Sequence, residues 1–220
     1  MEKFTEVEFV ENPEARCPCI LLLDISGSMS GSPIDELNAG LQAFQQALSQ
    51  DTLAMQRIEI AIITFGPVSV QQEFITAGKF TPPKLSASGD TPMGSAINTA
   101  LDKIQDRKQV YKNNGIQYYR PWVFLITDGS PTDGSAIWQT VKERIQDLES
   151  KKKIAFFSVG VAGADMSKLA ELSTTRQPLS LNGLNFRDMF VWLSTSLTSV
   201  SHSTPADEVP LQSPMGWGTV

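Results

Sequence analysis

Three oxygen-bearing side chains alternate at the end of an apolar segment near the start of the chain. Asp24, Ser26 and Ser28 follow the run Ile20-Leu21-Leu22-Leu23, which is typical of a buried β-strand. A carboxylate and two hydroxyls at this spacing form an oxygen-rich cluster that suits a hard cation such as Mg²⁺. Because Mg²⁺ requires six oxygen ligands, the others must come from elsewhere in the chain and from a partner.

Two later segments carry side chains that could converge on this cluster. Residues 122–126 form a second apolar, strand-like run, and Asp128 follows it directly before a glycine. Thr91 lies in a loop ahead of a predicted helix, and the proline after it favours extended backbone. That backbone could hold the Thr91 hydroxyl out of the loop, where it is available to a cation.

Each of these residues also has a structural interpretation. Asp24 could accept hydrogen bonds from loop amides, and the two serines could be turn hydroxyls. Thr91 could cap the helix, and Asp128 could belong to an Asp-Gly turn. The neighbouring acids Asp90 and Asp133 are interpreted as loop or turn residues. The order of the motifs and their placement at strand ends, taken together, favour a metal site.

Strand and helix patterns alternate along most of the chain. Ser32-Pro33 is a helix-start signal, with Ser32 as the cap, and apolar residues at spacings of three and four follow it. Two extended runs flank Gly66-Pro67, so the second is predicted to be antiparallel. Further helices are predicted at 94–104, 135–150, 167–172 and 186–200, and further strands at 154–159 and 179–181. This alternation predicts a mostly parallel sheet with helices on both faces, whose ligands bind at the carboxyl ends of the strands.

The pattern Asp24-x-Ser26-x-Ser28, followed by Thr91 and then by Asp128-Gly129, resembles the metal-ion-dependent adhesion site of von Willebrand factor A (VWA) domains. The resemblance implies a Rossmann-like, three-layer α/β fold with one antiparallel edge strand. It also implies that the two serines and Thr91 contact a Mg²⁺ or Mn²⁺ ion, while the two aspartates act directly or through water. The implied metal site is therefore Asp24, Ser26, Ser28, Thr91 and Asp128.

The same resemblance implies a function. In VWA domains the ion binds a carboxylate of a partner protein, so we expect a non-enzymatic protein-interaction module. The compact size, the segment 17–29 and the Gly-Trp-Gly end are similar to bacterial TerY-type VWA proteins of tellurium-resistance operons. This implies a role in tellurium resistance or stress response, with kinase-like, phosphatase-like or Ter-family partners. The alternative is an accessory VWA subunit of a metal-dependent enzyme, such as a chelatase, or of an AAA-type ATPase complex.

Catalytic motifs are weak in the sequence. An Asp-x-Asp phosphatase needs a second carboxylate two residues after the nucleophile, where this chain has Ser26. A nucleophilic serine needs a base, and the single histidine, His202, lies in a polar segment. No phosphate-binding loop of the Gly-x-x-x-x-Gly-Lys-Ser/Thr type is present. We expect no catalytic residues, with an unusual Mg²⁺ hydrolase as the alternative.

Composition and charge narrow the class of protein further. With 220 residues, 41% of them hydrophobic, the chain can form one α/β domain with a full core. The net charge of −6 argues against a nucleic-acid surface, and the run Lys151-Lys152-Lys153 is interpreted as a solvated helix end. No segment has the apolar length of a signal peptide or membrane helix, so a cytoplasmic location is expected.

The predicted organisation is an N-terminal extension or edge strand over 1–14, a VWA domain over 15–200 and a Pro- and Gly-containing tail over 201–220. Trp217 could anchor this tail on a partner or on its own domain, or it could belong to a disordered end. Cys17 and Cys19 are expected to be reduced thiols, because the sequence offers few other ligands for a soft metal.

Overall fold

The computed structural model describes residues 8–205, 207, 209–211, 213–214 and 216–219. The strands in this part of the chain are β1 (Cys17–Asp24), β2 (Ile58–Phe65), β3 (Ser69–Thr76), β4 (Trp122–Thr127), β5 (Ala155–Gly160), β6 (Leu179–Leu181) and β7 (Gly218–Thr219). The main helices are α1 (Ser32–Leu48), α2 (Thr52–Arg57), α3 (Met93–Asn113), α4 (Ser135–Ser150), α5 (Met166–Leu172) and α6 (Phe186–Ser201). The order of elements confirms the predicted α/β alternation.

The described strands form one sheet in the order β3-β2-β1-β4-β5-β6-β7. Strand β1 pairs in parallel with both β2 and β4, and β5 continues the parallel part of the sheet beyond β4. Strand β3 is antiparallel to β2, as the turn at Gly66-Pro67 predicts. The mostly parallel sheet with an antiparallel edge strand is thus confirmed, and the short β7 adds an antiparallel strand at the other edge.

Both faces of the sheet are covered by helices. Leu21 and Leu23 of β1 belong to the core under α1 and α6, whereas Ile20 and Leu22 belong to the core under α3, α4 and α5. Successive strand residues point to opposite faces, so a strand covered on both sides is apolar throughout. This explains why all of β1 is buried up to its terminal carboxylate. Asp24 is therefore positioned by a rigid central strand.

Helix α1 has the predicted amphipathic face. The predicted apolar residues are all buried, namely Ile34, Leu37, Leu41, Phe44 and Leu48. At Gly40 the helix approaches α6 so closely that a Cβ atom would lie 2.7 Å from the Phe190 ring. The predicted cap is wrong by one residue: Gly31, with a φ of +83°, precedes the helix, and Ser32 is its first residue. Glycine fits this left-handed backbone without strain.

Two helical segments extend beyond the sequence predictions. Helix α2 was not predicted; the Asp51 side chain caps it by accepting a hydrogen bond from the Ala54 amide at 2.7 Å. Helix α3 continues well past 104, because Arg107 and Tyr111 reach buried partners rather than solvent. In α4, Val141 and Ile145 are buried as predicted.

The apolar spacing in α4 predicts that Ile137 lies on the same buried face, and this prediction is wrong, since its side chain is 40% exposed. Trp138 and Trp192 are buried packing residues, as their helical positions indicate. Among the described residues, no helix has the length and apolar composition needed to cross a membrane.

The two ends of the described chain pack on the domain. Residues 8–11 form a helical turn and 12–14 are irregular, so the edge strand considered for 1–14 is not seen in this part, and 1–7 lie outside the described residues. At the other end Trp217 is buried, with its ring 5.2 Å from that of Trp192. The segment predicted as a tail therefore contributes a buried anchor and strand β7.

Cys17 and Cys19 are free thiols inside the core. Burial raises the pKa of Cys17 to about 12, with a further contribution from the nearby Glu59 carboxylate. Burial also raises the pKa of Cys19 well above its ordinary value. Because only the thiolate is an effective nucleophile or metal ligand, both sulfurs are chemically quiet in the folded protein.

Candidate metal centre

Several loops meet beyond the carboxyl ends of the central strands. Asp24 is the last residue of β1, and Asp128 follows β4, its parallel neighbour. Ser28 lies in a short 3₁₀ turn over Gly27–Met29, which the fully buried Met29 fixes to the core. Thr91 lies in the loop before α3. The structure thus brings all five predicted site residues to one end of the sheet.

Four of the five residues are connected by hydrogen bonds. The Ser26 amide donates to Asp24 Oδ1 at 2.8 Å, and the Ser26 and Ser28 hydroxyl oxygens are 3.0 Å apart. The Ser28 hydroxyl donates to Asp128 Oδ1 at 2.8 Å. Because a serine hydroxyl has a single proton, Ser26 must be the donor in its bond to Ser28. A continuous chain of hydrogen bonds through Ser26 and Ser28 therefore joins two carboxylates that are distant in sequence.

Thr91 joins this group from the side. A Cβ atom on Gly129 would lie 3.4 Å from Thr91 Oγ1, so the threonine hydroxyl is next to the residue after Asp128. The Thr91 carbonyl accepts hydrogen bonds from the amides of Met93 at 2.7 Å and Thr132 at 2.9 Å. These bonds tie Thr91 both to the start of α3 and to the loop that follows β4.

Glycines allow the loops around the site to pack directly against each other. A Cβ on Gly66 would lie 2.6 Å from the Ser88 carbonyl, and one on Gly89 would lie 2.2 Å from the Gly66 carbonyl. The Ser88 amide donates to the Ile25 carbonyl, and the Gly27 amide donates to the Gly89 carbonyl at 3.0 Å. Sequence reasoning did not identify these contacts. The position of the Thr91 loop depends on them.

Thr127 is a second residue that the sequence analysis missed. It is fully buried at the end of β4, and its hydroxyl donates to Asp24 Oδ2 at 2.5 Å. With the Ser26 amide on the other oxygen, both oxygens of the Asp24 carboxylate accept from neutral donors. The available signal was a polar residue that ends an otherwise apolar strand.

The electrostatic environment of Asp24 is unusual for a buried carboxylate. The residue is fully buried, and within the described chain no lysine, arginine or histidine forms an ion pair with it or with Asp128. Burial raises the pKa of Asp24, its hydrogen bonds to Ser26 and Thr127 lower it, and the Asp128 charge raises it further. A cation at this place would neutralise charge that the protein itself leaves uncompensated.

The spacing of the oxygens fits a small divalent cation. Adjacent ligands of an octahedral ion with bonds of 2.0–2.1 Å lie about 2.9 Å apart. The observed separations are 3.0 Å between the Ser26 and Ser28 hydroxyls and 2.8 Å between Ser28 and Asp128. Within the described residues no three His, Cys, Asp or Glu side chains cluster, so this donor set relies on hydroxyls.

Two other polar residues considered in the sequence analysis, Asp133 and His202, lie outside this cluster. Asp133 accepts hydrogen bonds from the amides of Gly94 at 2.6 Å and Ser95 at 3.0 Å, so it satisfies two free amides in the first turn of α3 from a neighbouring loop. His202 lies 2.8 Å from Asp51, at the start of α2 and away from the cluster. Neither residue is available to the candidate metal site.

The family model of the von Willebrand factor type A domain matches residues 19–189, most of the chain. The chain belongs to the VWA family. All five candidate site residues lie inside the matched segment. VWA domains are often metal-dependent modules that mediate protein-protein interactions. A comparison with curated protein sequences finds no match.

Solved structures share the VWA fold at low sequence identity. The pilus adhesin SpaC from Lactobacillus rhamnosus GG is 10% identical, with a TM-score of 0.66 over 84% of this chain and 30% of that chain. Proximal thread matrix protein 1 from the mussel byssus is 14% identical, with a TM-score of 0.56 over 84% and 48%.

A structure of the same mussel protein with a zinc-occupied MIDAS motif is 13% identical, with a TM-score of 0.54 over 84% of this chain and 48% of that chain. At these identities the likeness concerns the fold. This chain spans less than half of the length of either protein.

Proposed function

We propose that this VWA domain is a non-enzymatic interaction module that uses a divalent cation, Mg²⁺ or Mn²⁺, to bind a carboxylate of a partner protein. The observation that carries the proposal is the pair of carboxylates, Asp24 and Asp128, which are joined through the Ser26 amide and the Ser26 and Ser28 hydroxyls and have no cationic partner among the described residues. A charge that the fold leaves uncompensated in a buried place is costly unless a counter-ion binds.

The set of metal ligands explains why a carboxylate of a partner protein would bind. Ser26, Ser28 and Thr91 would contact the cation as neutral ligands, and Asp24 and Asp128 would act directly or through water. When bound, the cation supplies an open coordination position and a positive charge that the hydroxyls do not cancel. An acidic side chain of a partner would complete the shell with a charge-assisted contact. Because Ser28 is exposed, the partner can reach this position from solvent.

The residues of the cluster do not form the arrangement that a catalytic site needs. Acyl or phosphoryl transfer needs a nucleophile with an adjacent base, and this cluster combines hydroxyls with carboxylates that already accept hydrogen bonds. His202 is held by Asp51 elsewhere. This arrangement supports binding rather than catalysis.

We further propose a bacterial, cytoplasmic role in tellurium resistance or stress response. This part rests on the likeness of the segment 17–29 and of the Gly-Trp-Gly end to TerY-type proteins. Kinase-like, phosphatase-like or Ter-family proteins with an exposed acidic residue are the proposed partners.

Calorimetric titration with Mn²⁺ tests the metal site. We expect saturable binding of one ion to the wild type, and at least about tenfold weaker binding to a Ser26→Ala/Thr91→Ala variant, because two direct ligands are lost. Ser30→Ala is the matched control, since Ser30 is an exposed serine of the same loop outside the hydrogen-bonded chain. Equal affinity of all three proteins would contradict the assignment.

Affinity recovery of partners from host lysate tests the function. A protein retained by the wild type in Mg²⁺, and lost in EDTA or with the Ser26→Ala/Thr91→Ala variant, would support capture of a carboxylate. Replacing acidic residues of that protein by amides should then abolish its retention. Equal recovery under all conditions would show that the partner binds elsewhere.

A further inference from the structure

A cavity of about 590 Å³ lies at the end of the sheet opposite to the candidate metal centre. Its wall includes Trp122 and Ala155, the first residues of β4 and β5. Strands rise about 3.3 Å per residue, so the six residues of β4 place this basal cavity roughly 15–20 Å from Asp128. Its volume is in the range of about 300–1,000 Å³ that is usual for small-molecule sites.

The charge of the basal cavity opposes that of the whole chain. Its described wall carries a single carboxylate, Asp207, and five cationic residues: Lys108, Arg120, Lys152, Lys153 and Arg176. An adjoining cavity of about 460 Å³ shares Lys108 and Lys153 and adds Lys112, Arg144 and one acid, Asp147; Arg144 is paired with Asp102 at 2.7 Å. The formal net charge of the protein is −6, so this concentration of positive charge is local.

Several of these cations lack a carboxylate partner. Arg176 is neutralised by Glu149 at 2.7 Å, but the Lys108 ammonium donates to the Lys153 carbonyl at 2.7 Å and pairs with no described acid. Arg120 and Lys153 likewise form no ion pair within the described residues. Burial and the charges of Lys153 and Lys112 lower the pKa of Lys108 to about 8. Mutual repulsion of this kind favours binding of an anion.

The only described acid in the wall lies at the surface. The Asp207 carboxylate is exposed and accepts a hydrogen bond from the Thr204 amide at 3.1 Å. It forms no ion pair with a described cation, and solvent screens its charge, so it compensates the cations of the cavity only weakly.

Aromatic rings form another part of the wall. Trp122 and Phe157 lie with ring centroids 4.8 Å apart in the floor of the cavity, where less than a tenth of each side chain is exposed. The half-buried Tyr118 is the most accessible ring of the wall. The Arg176 guanidinium covers the Phe157 ring at 4.9 Å. Such a surface favours a flat, apolar group, while the cations beside it favour a charged one.

We propose that the basal cavity is a second ligand site, which binds a small phosphate ester with a flat apolar body. Arginine forks and lysine ammonium groups are the side chains that best recognise a phosphate, and the rings provide contact area for the rest of the molecule. The cavity volume fits one small molecule better than a length of acidic polypeptide. This proposal is independent of the metal site.

Calorimetric titration of the full chain in EDTA tests the proposal, with AMP, phenyl phosphate, adenosine and inorganic phosphate as probes. We expect saturable binding of AMP and phenyl phosphate, and at least about tenfold weaker binding of adenosine, because hydrogen bonds to charged groups contribute most of the affinity. Higher salt should weaken the binding of both esters.

Variants locate the binding. Lys153→Gln, at an exposed position, and Arg120→Gln should each weaken binding of the esters several-fold, whereas Lys84→Gln, an exposed lysine outside both cavities, should not. Ser26→Ala should also leave binding unchanged, which separates this site from the metal centre. Melting temperatures identify any variant that fails to fold, and the exposed Lys153 then remains informative.

Several results would overturn the proposal. Absence of saturable binding by both esters, or equal losses in Lys84→Gln and Lys153→Gln, would show that the cations are merely solvated. If adenosine bound as tightly as AMP, the phosphate would not contribute to affinity. If inorganic phosphate bound as tightly as AMP, the aromatic rings would not contribute. Binding of a polyglutamate peptide but of neither ester would make the cavity a docking place for acidic protein segments.

Discussion

Asp24 and Glu59 are two fully buried carboxylates on adjacent strands, but they lie at opposite ends of the sheet and have different partners. Glu59 accepts from Arg16 Nε at 3.0 Å and from Arg107 Nη2 at 2.7 Å, and Tyr111 also donates to it. Asp24 accepts only from neutral groups.

The difference teaches how to distinguish a carboxylate that holds a fold from one that binds a ligand. A buried charge is tolerated when the protein supplies the opposite charge, as two arginines do for Glu59. Where only neutral donors are present, the carboxylate is oriented but not compensated. Burial alone would have placed both residues in the same class.

The largest expected effect is at Glu59. Replacing it by Gln leaves the buried Arg16 without a counter-charge and Arg107 with only Glu8, 3.7 Å away, which should lower the free energy of unfolding by about 3–5 kcal/mol. Urea denaturation measures this loss. Glu73→Gln is the control, because its ion pair with Lys103 is exposed and should contribute less than about 1 kcal/mol. Similar losses in both variants would break the comparison.

Asp24 should behave in the opposite way. In EDTA, Asp24→Asn should change stability by no more than about 1 kcal/mol, since Asn Oδ1 can still accept from the Ser26 amide and Asn Nδ2 can donate to Thr127 Oγ1 once that hydroxyl rotates. With Mn²⁺ at one hundred times its dissociation constant, the wild type should gain about 2.7 kcal/mol, and Asp24→Asn should gain much less. Thermal unfolding with and without metal measures both quantities. A loss in EDTA as large as that of Glu59→Gln would make Asp24 a structural residue.

Two glycines test whether close packing of the loops positions the candidate metal centre. Gly89 and Gly115 both have positive φ, but a Cβ would clash only at Gly89, against the Gly66 carbonyl. Gly115→Ala should cost about 1–2 kcal/mol of backbone strain, with unchanged Mn²⁺ affinity. Gly89→Ala should cost more and also weaken Mn²⁺ binding, because the Thr91 loop must move. Equal Mn²⁺ affinities in the two variants would show that the position of the Thr91 loop does not affect metal binding.

The smallest expected effect concerns the two thiols near the start of β1, at the end of the sheet opposite to the candidate metal centre. Cys17 lies near Glu59, and burial raises its pKa to about 12, so the folded protein at pH 8 keeps the thiol protonated. Iodoacetamide should label neither Cys17 nor Cys19 in the native state and both in denaturant, as mass spectrometry can determine. Native labelling at rates of a free thiol would show that this end opens.

The sequence predicted the parts of the fold that local pattern controls. Continuous apolar runs predicted β1 and β4, and period-3.6 apolar patterns predicted α1 and α4. The rule that ligands bind at the carboxyl ends of parallel strands then predicts that Asp24 and Asp128 lie together.

Features that depend on distant partners were missed. Helix α3 continues because Arg107 and Tyr111 reach Glu59 on another strand, and a local pattern contains no sign of that contact. Thr127 resembles any strand-forming threonine until Asp24 is placed beside it. The burial of Trp217 likewise depends on Trp192, which is far away in sequence.

The docking of Trp217 has a consequence for how copies of this protein meet. Strand β6 is three residues long, and the two-residue β7 occupies its outer edge. An open edge offers unpaired amides and carbonyls to strands of other molecules and promotes aggregation. Because Trp217 is buried against α6, it holds β7 in place and blocks this edge. One aromatic side chain thus helps to cover the edge that β6 would otherwise present to other chains.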